Sequence, residues 1–160
     1  VRLYEGGIQI GTAPVVGGEW AVTLRFPSGT HSITARSVTP NGVGPHSRPR
    51  TFRVDADAPT VHMDRPSGHL IIGRLIDAPL TGDAADSKAT DSLLDRVELS
   101  YVDIFTGAEV KRIASCPRCP TAALEFRDMA PLLPSVYEVT ATAYDVVGNF
   151  STDTLLLLIV

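Results

Sequence analysis

Both cysteines of the chain fall in one short motif, Cys116-Pro117-Arg118-Cys119, which has the spacing of a redox dithiol. Redox work needs the first thiol at a helix N-terminus, where the dipole lowers its pKa and favours the thiolate. Pro117 and Pro120 instead place both sulfurs in a loop between strand-like runs. Structural zinc needs four ligands, and there is no second Cys pair to supply them. A local disulfide between Cys116 and Cys119 is the expected state, which implies an oxidising compartment. So small a ring adds only about 2 kcal/mol by loop entropy, enough to pin a loop but not to hold a domain together.

Oxygen ligands form the second candidate site. Asp55 and Asp57 stand in a short polar run, and Asp145 and Asn149 stand in a late turn of the second half. Hard oxygens at a domain junction suit Ca²⁺, which takes roughly six to eight oxygens at about 2.3–2.6 Å. Asp and Asn in turns also bond their own backbone. With no EF-hand-like ligand series present, this second reading has the stronger basis, leaving Asp55 and Asp57 solvated. Calcium is the one cofactor that the residues suggest.

The remaining reactive residues make no constellation. His31, His46, His62 and His69 are scattered, with no pair at i,i+4 and no Cys or acidic partner beside them. Ser28, Ser67 and Ser135 sit in Pro/Gly turns without a G-x-S-x-G context. Asn149-Phe150-Ser151 matches an N-glycosylation acceptor, which matters only in a eukaryotic source. Trp20 is expected to anchor a core; sugar stacking would need it exposed in a groove. No catalytic residue emerges, and the chain reads as a non-enzyme.

The elements that must position these residues are short strands. Val1–Tyr4, the Glu5-Gly6-Gly7 connection and Ile8–Ala13 read as a hairpin. Glu19–Phe26 alternates, with Trp20, Val22, Leu24 and Phe26 on one face. His31–Val38 puts His31, Ile33 and Ala35 inward, and Thr51–Asp55 follows a Pro-containing loop. Asp55-Ala56-Asp57-Ala58-Pro59-Thr60 buries little and reads as a linker, dividing the chain into 1–57 and 58–160. Beyond it, Val61–Met63, Leu70–Ile76, Val97–Phe105, Ala108–Ala114, Ala123–Phe126, Ser135–Tyr144 and Thr154–Val160 read as strands. Gly82 to Asp91 reads as the longest irregular stretch, and a helical turn fits around Leu93–Arg96 or Met129–Leu133.

Composition agrees with that pattern. The 160 residues carry 14 Lys+Arg against 18 Asp+Glu, a net charge of −4, which offers no basic footprint for nucleic acid. A hydrophobic share of 44% is ample for a core. The 13 Gly and 12 Pro fall between short apolar runs and leave little room for long helices. The chain opens on Val1 with no apolar signal segment and is expected to be part of a longer polypeptide. The apolar residues Leu155–Val160 would span only ~9 Å as a helix, against a bilayer core of about 30 Å, so they read as a closing strand and not a membrane span.

The halves repeat one another. Matching Thr34-Ala35 to Thr140-Ala141 sets His31 on Tyr137, Ile33 on Val139 and Gly42 on Gly148. His31 and Tyr137 are then expected to be core anchors at the place of a tyrosine corner, where a side chain bonds back to nearby backbone. Val1–Gly7 matches Val97–Gly107, yet nothing in the first half corresponds to residues 61–96. The first domain is therefore expected to lack its opening strands.

These residues resemble the bacterial Ig-like repeat domains found in tandem on surface and secreted proteins. The likeness lies in Val1–Gly7, Ile10–Ala13, Gly18-Glu19-Trp20, Gly29–Ala35, Val54-Asp55, Ala58-Pro59-Thr60, Leu80–Asp86, Tyr137–Asp145 and Gly148-Asn149. Thr39 stands where the family usually carries Asp, and the Cys segment has no counterpart in the repeat pattern. The resemblance implies an all-β chain of tandem Ig-like β-sandwiches, the first partial. It implies spacing, adhesion or assembly at a cell surface, with neighbouring repeats, other subunits or a second copy as partners. An accessory carbohydrate- or ligand-binding module of a secreted enzyme is the alternative.

Overall fold

The computed structural model describes residues 1–64, 80–86, 93–113, 123–128 and 133–159. All regular structure among them is β-strand. The chain divides into two compact units, Val1–Ala56 and Asp57–Val160.

The first unit contains β1 (Arg2–Glu5), β2 (Ile8–Thr12), β3 (Gly29–Arg36), β4 (Val38–Thr39), β5 (Gly42–Val43) and β6 (Arg50–Val54). Gly6 and Gly7 adopt φ of 55° and 83°, the paired left-handed conformation that lets a two-residue loop join β1 to β2. The strands form one antiparallel sheet in the order β2-β1-β3-β6, with β4 and β5 as a separate small hairpin. Its buried side chains are Leu3, Ala13 and His31.

The second unit contains β7 (Thr60–Met63), β8 (Leu80–Ala85), β9 (Leu94–Asp103), β10 (Glu109–Ile113), β11 (Ala123–Asp128), β12 (Ser135–Asp145) and β13 (Phe150–Ile159). They make a three-stranded sheet β11-β8-β7 and a four-stranded sheet β10-β9-β12-β13, both antiparallel. Period-two alternation aims Tyr137, Val139, Ala141 and Ala143 of β12 to one face. There they join Leu99 and Tyr101 of β9 and pack with Met63, Leu80, Ala84 and Phe126 of the other sheet in one core. Two antiparallel sheets closed over a shared core in this strand arrangement are an Ig-like β-sandwich. A side chain also bridges the sheets, since the Met63 N–H of β7 donates to Asp153 Oδ2 of β13 at 2.9 Å.

The sheet of the first unit repeats the four-stranded sheet of the second in order and register. Leu3 stands opposite Ala35, and Leu99 opposite Ala141. Both leucines are buried, at 1% and 0% exposure. His31 pairs with Phe52 as Tyr137 pairs with Leu157. Each unit also ties its third sheet strand to a carbonyl four residues upstream: the Tyr137 hydroxyl donates to Leu133 O at 2.9 Å, and His31 Nε2 bonds Pro27 O at 2.9 Å. The first unit has no counterpart of β11-β8-β7.

Three differences from the sequence pattern have physical causes. Glu19–Phe26 belongs to no strand, because its alternating residues have no neighbouring ladder to pair with. Leu93–Arg96 is not a helical turn; β9 begins at Leu94, with Leu94 and Val97 driven into the core. The polar stretch from Gly82 opens inside β8, whose small residues pass beneath a large ring. The expected strand Leu70–Ile76 lies outside the described residues.

Candidate functional site

Segment 20–26 lies between β2 and β3 and contributes to no sheet. Its C-terminal half is seated. Leu24 lies over Gly11, where an added Cβ would meet its Cδ2 at 3.1 Å. The Phe26 ring lies tilted against His31 with centroids 4.7 Å apart and edge-on to Phe52 at 5.2 Å. Its N-terminal half is open: Trp20 is 43% exposed, and Val22 is exposed as well. Trp20 is therefore not a core anchor as the alternation suggested. The apolar face exists, but the sheet that would cover it in a sandwich has no counterpart here. Ile8, Val15 and Val16 are exposed in the same unit. Arg25 is exposed and makes no ion pair among the described residues.

His31 is held beneath this segment from both ring nitrogens, Nε2 by Pro27 O at 2.9 Å and Nδ1 by Glu5 Oε1 at 2.8 Å. Only the imidazolium donates to both acceptors at once. The Pro27 carbonyl first, and then the Glu5 carboxylate, raise its pKa above the ordinary 6.5, against the opposing effect of burial. A raised folded-state pKa gives stability that is fully present below the unfolded value and lost as pH rises through the folded one. The first unit is therefore expected to weaken as pH rises from the ordinary histidine value of 6.5 through the raised folded-state one. Denaturation followed by the fluorescence of Trp20, the single tryptophan, measures this directly, and His31→Gln should flatten the dependence.

The second unit places the other titratable candidates. Asp145 is buried, and its Oδ1 accepts the N–H groups of Val147, Gly148 and Asn149 at 2.9, 2.6 and 2.8 Å. Its Oδ2 accepts Asn149 Nδ2 at 2.7 Å. Asp145 and Asn149 thus share one turn, with Gly148 at φ 99°. Asp86 is also buried, with a carboxylate oxygen within 4.8 Å of one on Asp145. Buried carboxylates at that separation repel unless donors or a cation intervene, and the turn N–H groups supply donors to Asp145. Its place in a polar run gave Asp86 no apolar signal to mark its burial. Asp55 lies near the end of the first unit, and Asp57 opens the second. Among the histidines, His46 Nδ1 bonds Thr34 Oγ1 at 2.9 Å, and His62 Nδ1 lies 3.7 Å from Asp153 Oδ2. Ser28 Oγ accepts the Ala56 N–H at 2.8 Å. Cys116, Cys119, His69 and Ser67 lie outside the described residues.

No known sequence family matches the chain, and no curated protein matches it in sequence. Among solved structures, it is similar to the fibronectin(III)-like modules of Clostridium thermocellum CbhA, at 17% identity and a TM-score of 0.48, over 99% of this chain and 76% of that one. It is also similar to the FN1–FN3 domains of chicken CNTN1, at 16% identity and a TM-score of 0.35, over 83% of this chain and 44% of that one.

Proposed function

We propose that the chain is a non-catalytic extracellular module, a spacer or assembly unit of a surface fibre, stalk or adhesin, whose first unit is completed by β-strand addition from a neighbouring segment or subunit. One observation carries this reading. The first unit repeats one sheet of the second unit's sandwich and lacks the other, leaving Trp20 and Val22 exposed. Open sheet edges are where a strand from a neighbouring segment or another subunit can dock. The likeness of both halves to tandem surface repeats supports the extracellular setting.

Trp20 favours a second reading, an accessory module that binds polysaccharide, because an aromatic 43% exposed can stack on a sugar ring. Glycan arrays and insoluble-polysaccharide retention, run on the chain and on Trp20→Ala, separate the two. The assembly reading expects no saturable binding by either protein. Saturable binding that Trp20→Ala removes would replace it with the accessory role.

A further inference from the structure

We infer that the first unit carries a proton-operated latch, in which His31 holds the Pro27-Ser28 turn that clasps Ala56, so that losing the imidazolium proton frees the chain where it leaves that unit. The inference goes beyond the functional reading above and stands or falls without it. Its template lies in the second unit. The ladders set Glu5 opposite Ile33 and Tyr101 opposite Val139, and they set His31 opposite Phe52 and Tyr137 opposite Leu157. The positions that hold Tyr101 and Tyr137 in the second unit therefore hold Glu5 and His31 in the first. Both units keep the same tether to a carbonyl four residues upstream. Burial first, and then Asp103, raise the Tyr137 pKa above the ordinary tyrosine value, so that tether keeps its proton throughout the neutral range. The first unit makes the tether with a group that changes charge near neutral pH.

Both groups that meet the ring nitrogens, the Glu5 carboxylate and the Pro27 carbonyl, are acceptors. Neutral imidazole has one N–H and one bare nitrogen, so it serves only one of them. The N–H stays with Glu5, because a bond to a carboxylate is the stronger. Bare Nε2 then confronts the Pro27 oxygen, lone pair against lone pair, and that carbonyl has to turn away. Pro27 leads directly into Ser28, whose Oγ accepts the Ala56 N–H at 2.8 Å. The next residue, Gly29, is fixed against Val54 in the ladder. The turn therefore moves on the Ser28 side of a fixed strand, and the clasp on Ala56 gives way. The charges around the ring leave control to Glu5. β2 carries none, and neither do Gly29 and Ile33, the neighbours of His31 on its own face of β3. On β6, Arg50 stands opposite Ile33 and is exposed, so it opposes the imidazolium only weakly. Arg25, beside Phe26 in the connecting segment, is exposed as well. His46, the unit's other histidine, bonds Thr34, which alternation places on the opposite face of the sheet. The latch is thus closed below the ordinary histidine value and opens as pH rises through the raised one.

The test is a pH titration of the whole chain by nuclear magnetic resonance, from about pH 5 to 9, following the His31 ring and the Ala56 amide. Exchange of that amide, corrected for the intrinsic rise of exchange with pH, should lose about tenfold in protection at the His31 midpoint, as for one lost hydrogen bond. The loss should be indifferent to low urea, because a local opening exposes little surface. His31→Tyr imports the tether of the second unit and should keep Ala56 protected across the range. Glu5→Gln should move the midpoint down while leaving the clasp formed below it, and His46→Gln should change neither. Ala56 protection that stays constant through the His31 midpoint would overturn the latch, and this result needs no variant. A loss that grows with urea would assign the effect to unfolding of the whole unit and overturn it too. So would an Ala56 amide that still titrates in His31→Tyr, which would give control to another group.

Discussion

Asp145→Ala is expected to destabilise the second unit by about 3–4 kcal/mol, the range for removing one side of a buried charged network. Its carboxylate is 2% exposed and accepts three backbone N–H groups and the Asn149 amide. Alanine leaves those donors without an acceptor where water has little access. Asp145→Asn should cost less. Its carbonyl oxygen keeps the backbone bonds at Oδ1, while its amide nitrogen meets the Asn149 Nδ2 donor in place of an acceptor. Urea denaturation followed by tyrosine fluorescence of the second unit, with Trp20 as the reporter for the first, measures both. A loss under about 1 kcal/mol for alanine would mean that the turn is held by its backbone alone.

Gly82→Ala is expected to cost about 3 kcal/mol, at the upper end for inserting one carbon into a packed site. The new Cβ meets the His62 carbonyl, which is fixed by the pairing of β7 with β8, as well as the Phe126 ring. Shortening the ring in Gly82→Ala with Phe126→Leu should recover only part of the loss, because the carbonyl clash remains. Full recovery would show that the ring alone sets the limit. The same denaturation measurement reads the result.

Much of this architecture is legible in the residues because alternation is a local signal. Tyr137, Val139, Ala141 and Ala143 announce the inner face of β12, and the Gly6-Gly7 pair announces its hairpin. β8 escapes for a physical reason. Gly82 and Ala84 are core positions whose neighbours leave no room for larger side chains, so a buried strand looks polar. Trp20 fails differently: its alternation marks an apolar face, but burial needs a covering sheet, which no local pattern reports. The site residues were only half readable. The repeat register picks out His31 and Tyr137, but not that His31 bonds Glu5. The oxygen-ligand reading names Asp145 without Asp86, whose proximity comes from folding alone.

The bridge from Met63 to Asp153 has a mechanical consequence. β7 is the first strand of the second unit and β13 the last, so tension applied to the unit's two ends enters through one and leaves through the other. The Met63 N–H on Asp153 joins these two strands directly, and β13 is further held along ten residue pairs to β12. Load entering through β7 is therefore shared between its ladder partner β8 and, through Asp153, the opposite sheet.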